Sequence, residues 1–275
     1  MNVPSKPRVG AVSYLNTKPL VHQLRQFAPG IELVFDLPSR LADRLARREL
    51  DVALIPSIEA FQDSDYGIIS DACIACRGPV LSVKLFSRVP FEQIRSVTLD
   101  EGSRTSVALT RILLRERFGL TPRCELLPIG GSALETTTDA VLLIGDRAIH
   151  PPKGPFTGSW DLGEEWTRWC NLPFVFAMWI GRKDHDWSEL ELALRQARDA
   201  GVRDLESIAA VEGPLVGLSP AECLVYLRDN LHFRLGPSER NGLELFRRHA
   251  QSLDLAPPYS TPLEFISSSP FANVL

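Results

Sequence analysis

The polar residues best placed to do chemistry stand where apolar runs end. Arg8 to Val12 is a short apolar run, and Ser13-Tyr14-Leu15-Asn16-Thr17 stops it with hydroxyl and amide groups. Ser57 follows Val52 to Ile55 in the same way, Ser103-Arg104-Thr105-Ser106 follows Ser96 to Leu99 across a short loop, and Gly145-Asp146 follows Ala140 to Ile144. A loop at the carboxyl end of a strand that runs into a helix carries N–H groups without an internal partner, so it favours anionic ligands. Arg104, in the first turn of its helix, works against the helix dipole and is easier to understand if it meets a bound anion. Asp146 reads equally as a helix cap, an ion-pair partner or a substrate contact, and Glu59 is similarly ambiguous.

Other chemistries lack their patterns. No G-x-G-x-x-G, G-x-x-x-x-G-K-[ST], H-E-x-x-H or G-x-S-x-G occurs. His22, His150, His185, His232 and His249 are far apart, with no second His or Cys at ligand spacing, so no metal site is expected. Cys73 and Cys76 form a C-x-x-C inside an extended apolar stretch, where two packing thiols are the expectation. Gly130-Gly131-Ser132 is turn composition before it is a phosphate cradle.

The elements that must position these residues alternate. After the first strand a helix runs to Phe27, with Asn16 or Thr17 as its cap and Pro19 in its first turn. Ile31 to Phe35 is a second strand, Ser39 caps a helix to Arg48, and Val52 to Ile55 is a third strand. Tyr66 to Cys76 and Pro79 to Phe86 extend this βαβαβ unit. A second unit follows, with a strong helix from Ser103 to about Phe118, strands at Cys124 to Ile129 and Ala140 to Ile144, and a helix over Trp160 to Trp169. Leu172 to Gly181 is the most apolar run, and beyond it the pattern is wholly helical, including a capping box at Ser219-Pro220-Ala221-Glu222. The tail from Ala256 to Leu275 reads as a surface arm.

Helices without a sheet of their own are expected to return and cover the first unit. This predicts an α/β protein of two lobes with a ligand cleft between them: lobe one from residues 1–88 plus 180–275, lobe two from 89–179. A length of 275 residues, 44% hydrophobic content and a formal charge of −4 fit a globular protein with no field for a phosphate backbone, so nucleic acid is not an expected partner. Neither a signal-peptide core nor 18 consecutive apolar residues occurs, and five scattered cysteines suit a reducing compartment. The expectation is a cytoplasmic protein without a membrane partner.

Six stretches in one order carry a family likeness: VSYLNTKPL at 12–20, ELDVALIPSIE at 49–59, LSVKLFS at 81–87, LDEGSRTSVAL at 99–109, LLIGDRA at 142–148 and DLGEEWTRWCNLPFVFAMW at 161–179. Together they resemble the chorismate dehydratases of the futalosine route to menaquinone. The resemblance implies a periplasmic-binding-protein-like type II fold, and conversion of chorismate to 3-[(1-carboxyvinyl)oxy]benzoate by loss of water, without a cofactor. The sister family, 1,4-dihydroxy-6-naphthoate synthase, shares fold and pathway but opens differently from the SYLN of this chain. A non-catalytic small-anion-binding protein of the same fold is the alternative from another class.

Chorismate is a dianion, so the resemblance directs attention to Ser13, Ser57, Ser103, Arg104, Thr105, Ser106 and Asp146 as substrate contacts, with Ser82 and Val83 of LSVKLFS contributing from the lobe-one side. Loss of the C3 proton pushes charge onto the ring carboxylate, where fixed donors lower the barrier. No histidine falls in the six stretches, so a dedicated protein base is hard to name. The substrate's enolpyruvyl carboxylate is close to C3 and can take that proton if the side chain is held over the ring. Asn16 and Tyr14 are the expected catalytic residues for that positioning, with Asn16 also able to hydrogen-bond the departing hydroxyl.

Overall fold

The structure, a computed structural model, describes residues 6–258 and 262–266. Eleven strands run in chain order through β1 (Arg8–Val12), β2 (Glu32–Asp36), β3 (Val52–Pro56), β4 (Tyr66–Cys76), β5 (Val83–Ser87), β6 (Ser96–Asp100), β7 (Arg123–Leu127), β8 (Ala140–Ile144), β9 (Gly158–Asp161), β10 (Phe174–Arg182) and β11 (His232–Arg234). They form two sheets, ordered β11-β4-β10-β3-β1-β2 and β7-β6-β8-β5-β9. Each sheet has a parallel trio at one end, β2-β1-β3 in the first and β7-β6-β8 in the second, and each trio then meets an antiparallel strand, β10 or β5. All five residues of β3 and of β8 are buried, as expected of strands covered on both faces, which is why they read as unbroken apolar runs.

The helix Arg104–Phe118 follows from its ends. The Ser103 side chain accepts from the Ser106 N–H at the start, and Gly119, at φ 69, ends it in the left-handed conformation that glycine adopts without penalty. The helix expected after β1 is instead broken into Leu15–Thr17, Lys18–Val21 and Leu24–Phe27, with Gln23 at φ 56 between the last two. Neither Asn16 nor Thr17 caps it through its side chain, which releases Asn16 for other work. Ser39 is likewise not a cap: the helix Pro38–Ala46 begins one residue earlier, where Asp36 accepts from the Leu37 N–H at 2.8 Å.

The chain leaves the first sheet after Cys76 and enters the second at Val83, and it returns between Cys170 and Phe174. Both passages come earlier than the 88/89 and 179/180 boundaries expected from sequence. β5 belongs to the second sheet because it pairs with β8 from Val83↔Ile144 to Ser87↔Ala140, and the whole of β10 lies in the first between β3 and β4. Apolar runs buried on both faces carry no mark of which sheet they join. The first passage is pinned by Asp161, whose carboxylate accepts from the N–H groups of Val80 (2.9 Å) and Leu81 (2.6 Å) and also caps the helix Leu162–Cys170.

The segment expected to be helical from Trp160 thus begins as strand β9. The C-terminal part is not wholly helical either: β11 adds to the edge of the first sheet beside β4. The helix Ser188–Arg203 packs on β4 and on the broken helix after β1, where a Cβ at Gly201 would lie 2.0 Å from the Pro19 carbonyl oxygen, so only glycine fits. This helix ends at Arg203, and after Asp204 the next runs over Leu205–Glu212. The helix Pro237–Ser252 covers β10 and reaches the helix Arg104–Phe118. Within the expected surface arm, Ile68 donates to the Glu264 carbonyl (2.8 Å) and accepts from the Ile266 N–H (2.9 Å), so this piece joins the sheet edge. Residues 259–261 and 267–275 of that arm lie outside the described residues. Cys73 and Cys76 are buried free thiols, with burial pushing both thiol pKa values up. Among the described residues no single helix is long and apolar enough to cross a membrane.

Candidate active site

A pocket opens where the carboxyl ends of the parallel strands from the two sheets meet. Val12, Tyr14 and Asn16 come from the end of β1 and its loop, Pro56 from the end of β3, Ser103 and Ser106 from beyond β6, and Ile144 with Gly145 from the end of β8. Ser82 and Val83 enter at the start of β5, while Ile74, Phe176 and Ala177 of β4 and β10 supply apolar walls. Carboxyl ends of parallel strands are where open α/β sheets bind ligands. Among the described residues no side chain lining this pocket is charged. A larger groove, lined by Arg198, Arg203, Arg228 and Phe233 among others, lies at the β11 edge and shares none of these strand ends.

Asn16 and Ser82 form one wall, in front of Tyr226, whose phenol pKa burial pushes up. Tyr226 is 2% exposed and stands behind the wall, brought there by a single π-helical turn, Tyr226–Asn230. Sequence reading missed it, because a tyrosine inside a helical stretch 210 residues from Asn16 carries no local signal of this position.

On the facing wall Ser103 donates to the Ser106 hydroxyl at 2.7 Å and accepts from the Ser106 N–H at 3.3 Å. That leaves the Ser106 proton available, beside the first-turn N–H groups of a 15-residue helix. These are donors of the kind that hold a carboxylate without a cation. Tyr14 packs against Gly145. A Cβ on Gly145 would lie 3.0 Å from its ring, and Gly145 has φ 65 and ψ −150, which other residues rarely adopt. Burial, then the nearby Asp100 carboxylate, pushes the Tyr14 phenol up to about 12, so it remains a neutral hydrogen-bonding group. Asp100 itself is buried and held by the Gly102 N–H (3.0 Å) and by Arg147 (2.5 Å).

The structure therefore brings Tyr14, Asn16, Ser82, Val83, Ser103 and Ser106 together and leaves the other expected contacts out of the lining. Ser13 is exposed. Ser57 is buried and donates to the Val175 carbonyl at 2.7 Å, joining β3's end to β10. Thr105 accepts from the Ile58 N–H at 3.2 Å. The Arg104 guanidinium, expected at an anion, is already held by Asp43 (2.6 Å) and Glu59 (2.9 Å). The Asp146 Oδ1 is buried without a partner among the described residues, and burial raises the Asp146 pKa. No group of three or more His, Cys, Asp or Glu residues among the described residues is placed to hold a metal ion.

Comparison with known proteins follows this geometry. The model of a family described as menaquinone biosynthesis matches residues 7–252. A chorismate dehydratase of Thermus thermophilus is 34% identical over 269 residues, covering 91% of this chain and 97% of the relative. Among solved structures, a protein of Archaeoglobus fulgidus superposes with a TM-score of 0.74 at 18% identity, covering 92% of this chain and 99% of that one. The periplasmic aliphatic sulphonate binding protein of Escherichia coli superposes with a TM-score of 0.64 at 13% identity, covering 97% and 96%. At such identities the likeness shows the fold alone, a two-lobe periplasmic-binding-protein-like fold.

Proposed function

Since the chain belongs to the menaquinone biosynthesis family, we propose that it is a chorismate dehydratase, a hydro-lyase that converts chorismate to 3-[(1-carboxyvinyl)oxy]benzoate. The observation that carries this reading is a pocket at the strand ends with hydrogen-bond donors on two walls and no charged side chain in its lining. Such a site can hold a dianion through N–H and O–H groups while offering no carboxylate to act as base.

In the proposed reaction the C3–H bond breaks and its electron pair forms the C3–C4 double bond as the C4–O bond breaks. The ring carboxylate sits at the start of the helix Arg104–Phe118, near Ser103 and Ser106, where charge developing through the C1–C2 double bond meets fixed dipoles. The enolpyruvyl carboxylate, folded over the ring, takes the C3 proton. An Asn16 N–H donates to the departing C4 oxygen, and that oxygen leaves as water when the enolpyruvyl carboxyl group passes on the C3 proton it has taken. Tyr14, Ser82 and Val83 hold the substrate in this fold, against the apolar wall of Phe176 and Ala177. We place the enzyme in the cytosol, in keeping with its free cysteines.

The test is incubation of purified protein with chorismate, followed by mass spectrometry. An aromatic product lighter by one water supports the reading. Chorismate that binds but is recovered unchanged contradicts it and favours a binding protein of the same fold.

A further inference from the structure

We propose that Asp161 is a positioning residue whose carboxylate holds a strained turn, Val80-Leu81-Ser82, and thereby places Ser82 at the substrate; this rests on the chorismate dehydratase reading above. Asp161 does not line the pocket, whereas Val80 and Ser82 do. The Ser82 N–H donates to the Val80 carbonyl at 2.7 Å, which closes a three-residue γ-turn, and Leu81 at its centre has φ 60. That is the rare and strained form of this turn, in a region that a residue with a Cβ seldom adopts. Such a conformation persists only where its surroundings impose it, and strain of this kind gathers at ligand sites.

Asp161 supplies that constraint. Its Oδ2 accepts from the Leu81 N–H at 2.6 Å, and its Oδ1 accepts from the Val80 N–H at 2.9 Å. Oδ1 also takes the Gly163 and Glu164 N–H groups, at 3.0 and 3.2 Å, so the start of the helix Leu162–Cys170 orients the carboxylate. The helix and the turn are close-packed: a Cβ on Gly163 would lie 2.6 Å from the Gly78 carbonyl oxygen. Charge-assisted bonds to two successive N–H groups hold the peptides on both sides of Val80, and the bond across the turn holds the next one. On the far side the Ser82 carbonyl accepts from the Gly145 N–H at 2.8 Å, and β5 begins at once with the pair Val83↔Ile144. Ser82 is thus placed by a backbone held from both directions, and one of the two holders is a side chain that the pocket never touches. In the proposed reaction Ser82 helps to keep the substrate folded, so its placement governs how often the reactive fold is populated.

Asparagine at 161 separates this role from capping. Its Oδ1 can still accept from Val80, Gly163 and Glu164, and Asn caps a helix as well as Asp does, but its Nδ2 meets the Leu81 N–H donor to donor. Asp161→Asn is therefore expected to stay folded and to lower kcat/KM for chorismate roughly 10- to 100-fold, the scale of a misplaced contact. Adding Leu81→Gly, which adopts φ 60 without a carboxylate to impose it, should recover most of that loss, whereas a merely structural loss would not be recovered. A folded Asp161→Asn protein with wild-type kcat/KM, or a Leu81→Gly addition that recovers nothing, overturns the proposal. If Asp161→Asn does not stay folded, Leu81→Val leaves the carboxylate in place and sets a β-branched residue at φ 60. Reduced kcat/KM in that variant supports the role of the turn, and unchanged kcat/KM overturns it. Should the wild-type protein leave chorismate unreacted, the dehydratase reading fails by itself, and a crystal structure of Asp161→Asn decides on the turn. Leu81 at negative φ with Ser82 displaced from the pocket wall then keeps the positioning role, and an unmoved Leu81 and Ser82 end it.

Discussion

Arg104 and Glu59 belong to helices that follow strands of different sheets, and the Arg104 guanidinium lies 2.9 Å from the Glu59 carboxylate, with Asp43 at 2.6 Å on its other edge. Thr105 accepts from the Ile58 N–H beside this pair, so the residues flanking the anion site also clasp one sheet unit to the other. An arginine engaged in this way compensates two carboxylates and is not free for a ligand. Burial raises the Glu59 pKa, and Arg104 opposes that rise.

Arg104→Ala is accordingly expected to act on closure of the cleft. The pair is partly exposed, so its loss should weaken chorismate binding by only about 0.2–1 kcal/mol, at most roughly fivefold. Calorimetry gives the affinity, and small-angle scattering should show a larger radius of gyration in the ligand-free variant. A hundredfold loss of affinity would mean that Arg104 does bind the substrate.

Gly145→Ala forces a side chain into φ 65 and against the Tyr14 ring. The backbone strain alone is about 1–3 kcal/mol, and displacement of Tyr14 should raise KM as well. Thermal melts with steady-state kinetics check both, and a variant with wild-type Tm contradicts the account.

Ser103→Ala removes the cap of the helix Arg104–Phe118, which is the acceptor of the Ser106 N–H, and also the donor to the Ser106 hydroxyl. A stability loss of about 0.5–2 kcal/mol is expected, accompanied by weaker chorismate binding. Ser106→Ala should weaken binding with a smaller stability loss. Denaturant titration beside calorimetry separates the two effects.

Asp146 supplies a pH dependence of defined sign. Its pKa is raised by burial above the unfolded value, so the folded protein binds this proton more readily. That stabilisation is fully present below the unfolded carboxylate pKa of about 3.9 and is lost as pH rises through the folded value. Asp146→Asn should therefore gain stability relative to wild type at neutral pH, with the difference shrinking as pH falls into that window. Melting temperatures of both proteins across acid pH test it, and a difference that grows on acidification contradicts it.

What sequence made legible was local. The strand-loop-helix units at Arg8 to Thr17 and Ser96 to Ser106 follow from apolar runs, a cap and helical spacing, and they bring Tyr14, Asn16, Ser103 and Ser106 to one pocket. The misses depend on long-range pairing. Arg104 was expected at the ligand because its first-turn position is visible in sequence, whereas Asp43 and Glu59 come from the other sheet unit. Thr105 and Ser57 look like ligand hydroxyls in isolation, yet backbone groups of other elements occupy them. Phe176 and Ala177 enter through the antiparallel pairing of β10, and Tyr226 through a π-turn, neither of which has a composition of its own.

The central claim is that no protein carboxylate takes the C3 proton, and the most direct measurement is the chorismate turnover of a Glu59→Gln/Asp146→Asn protein shown by circular dichroism to be folded. These are the two acids whose roles the sequence left open, and neither lines the pocket. The account predicts kcat within about tenfold of wild type, a cost of no more than ~1.4 kcal/mol from altered packing, while Asn16→Ala loses far more. Abolished turnover in the folded double-acid variant, with near-normal turnover in Asn16→Ala, would contradict it and make one of those acids the base.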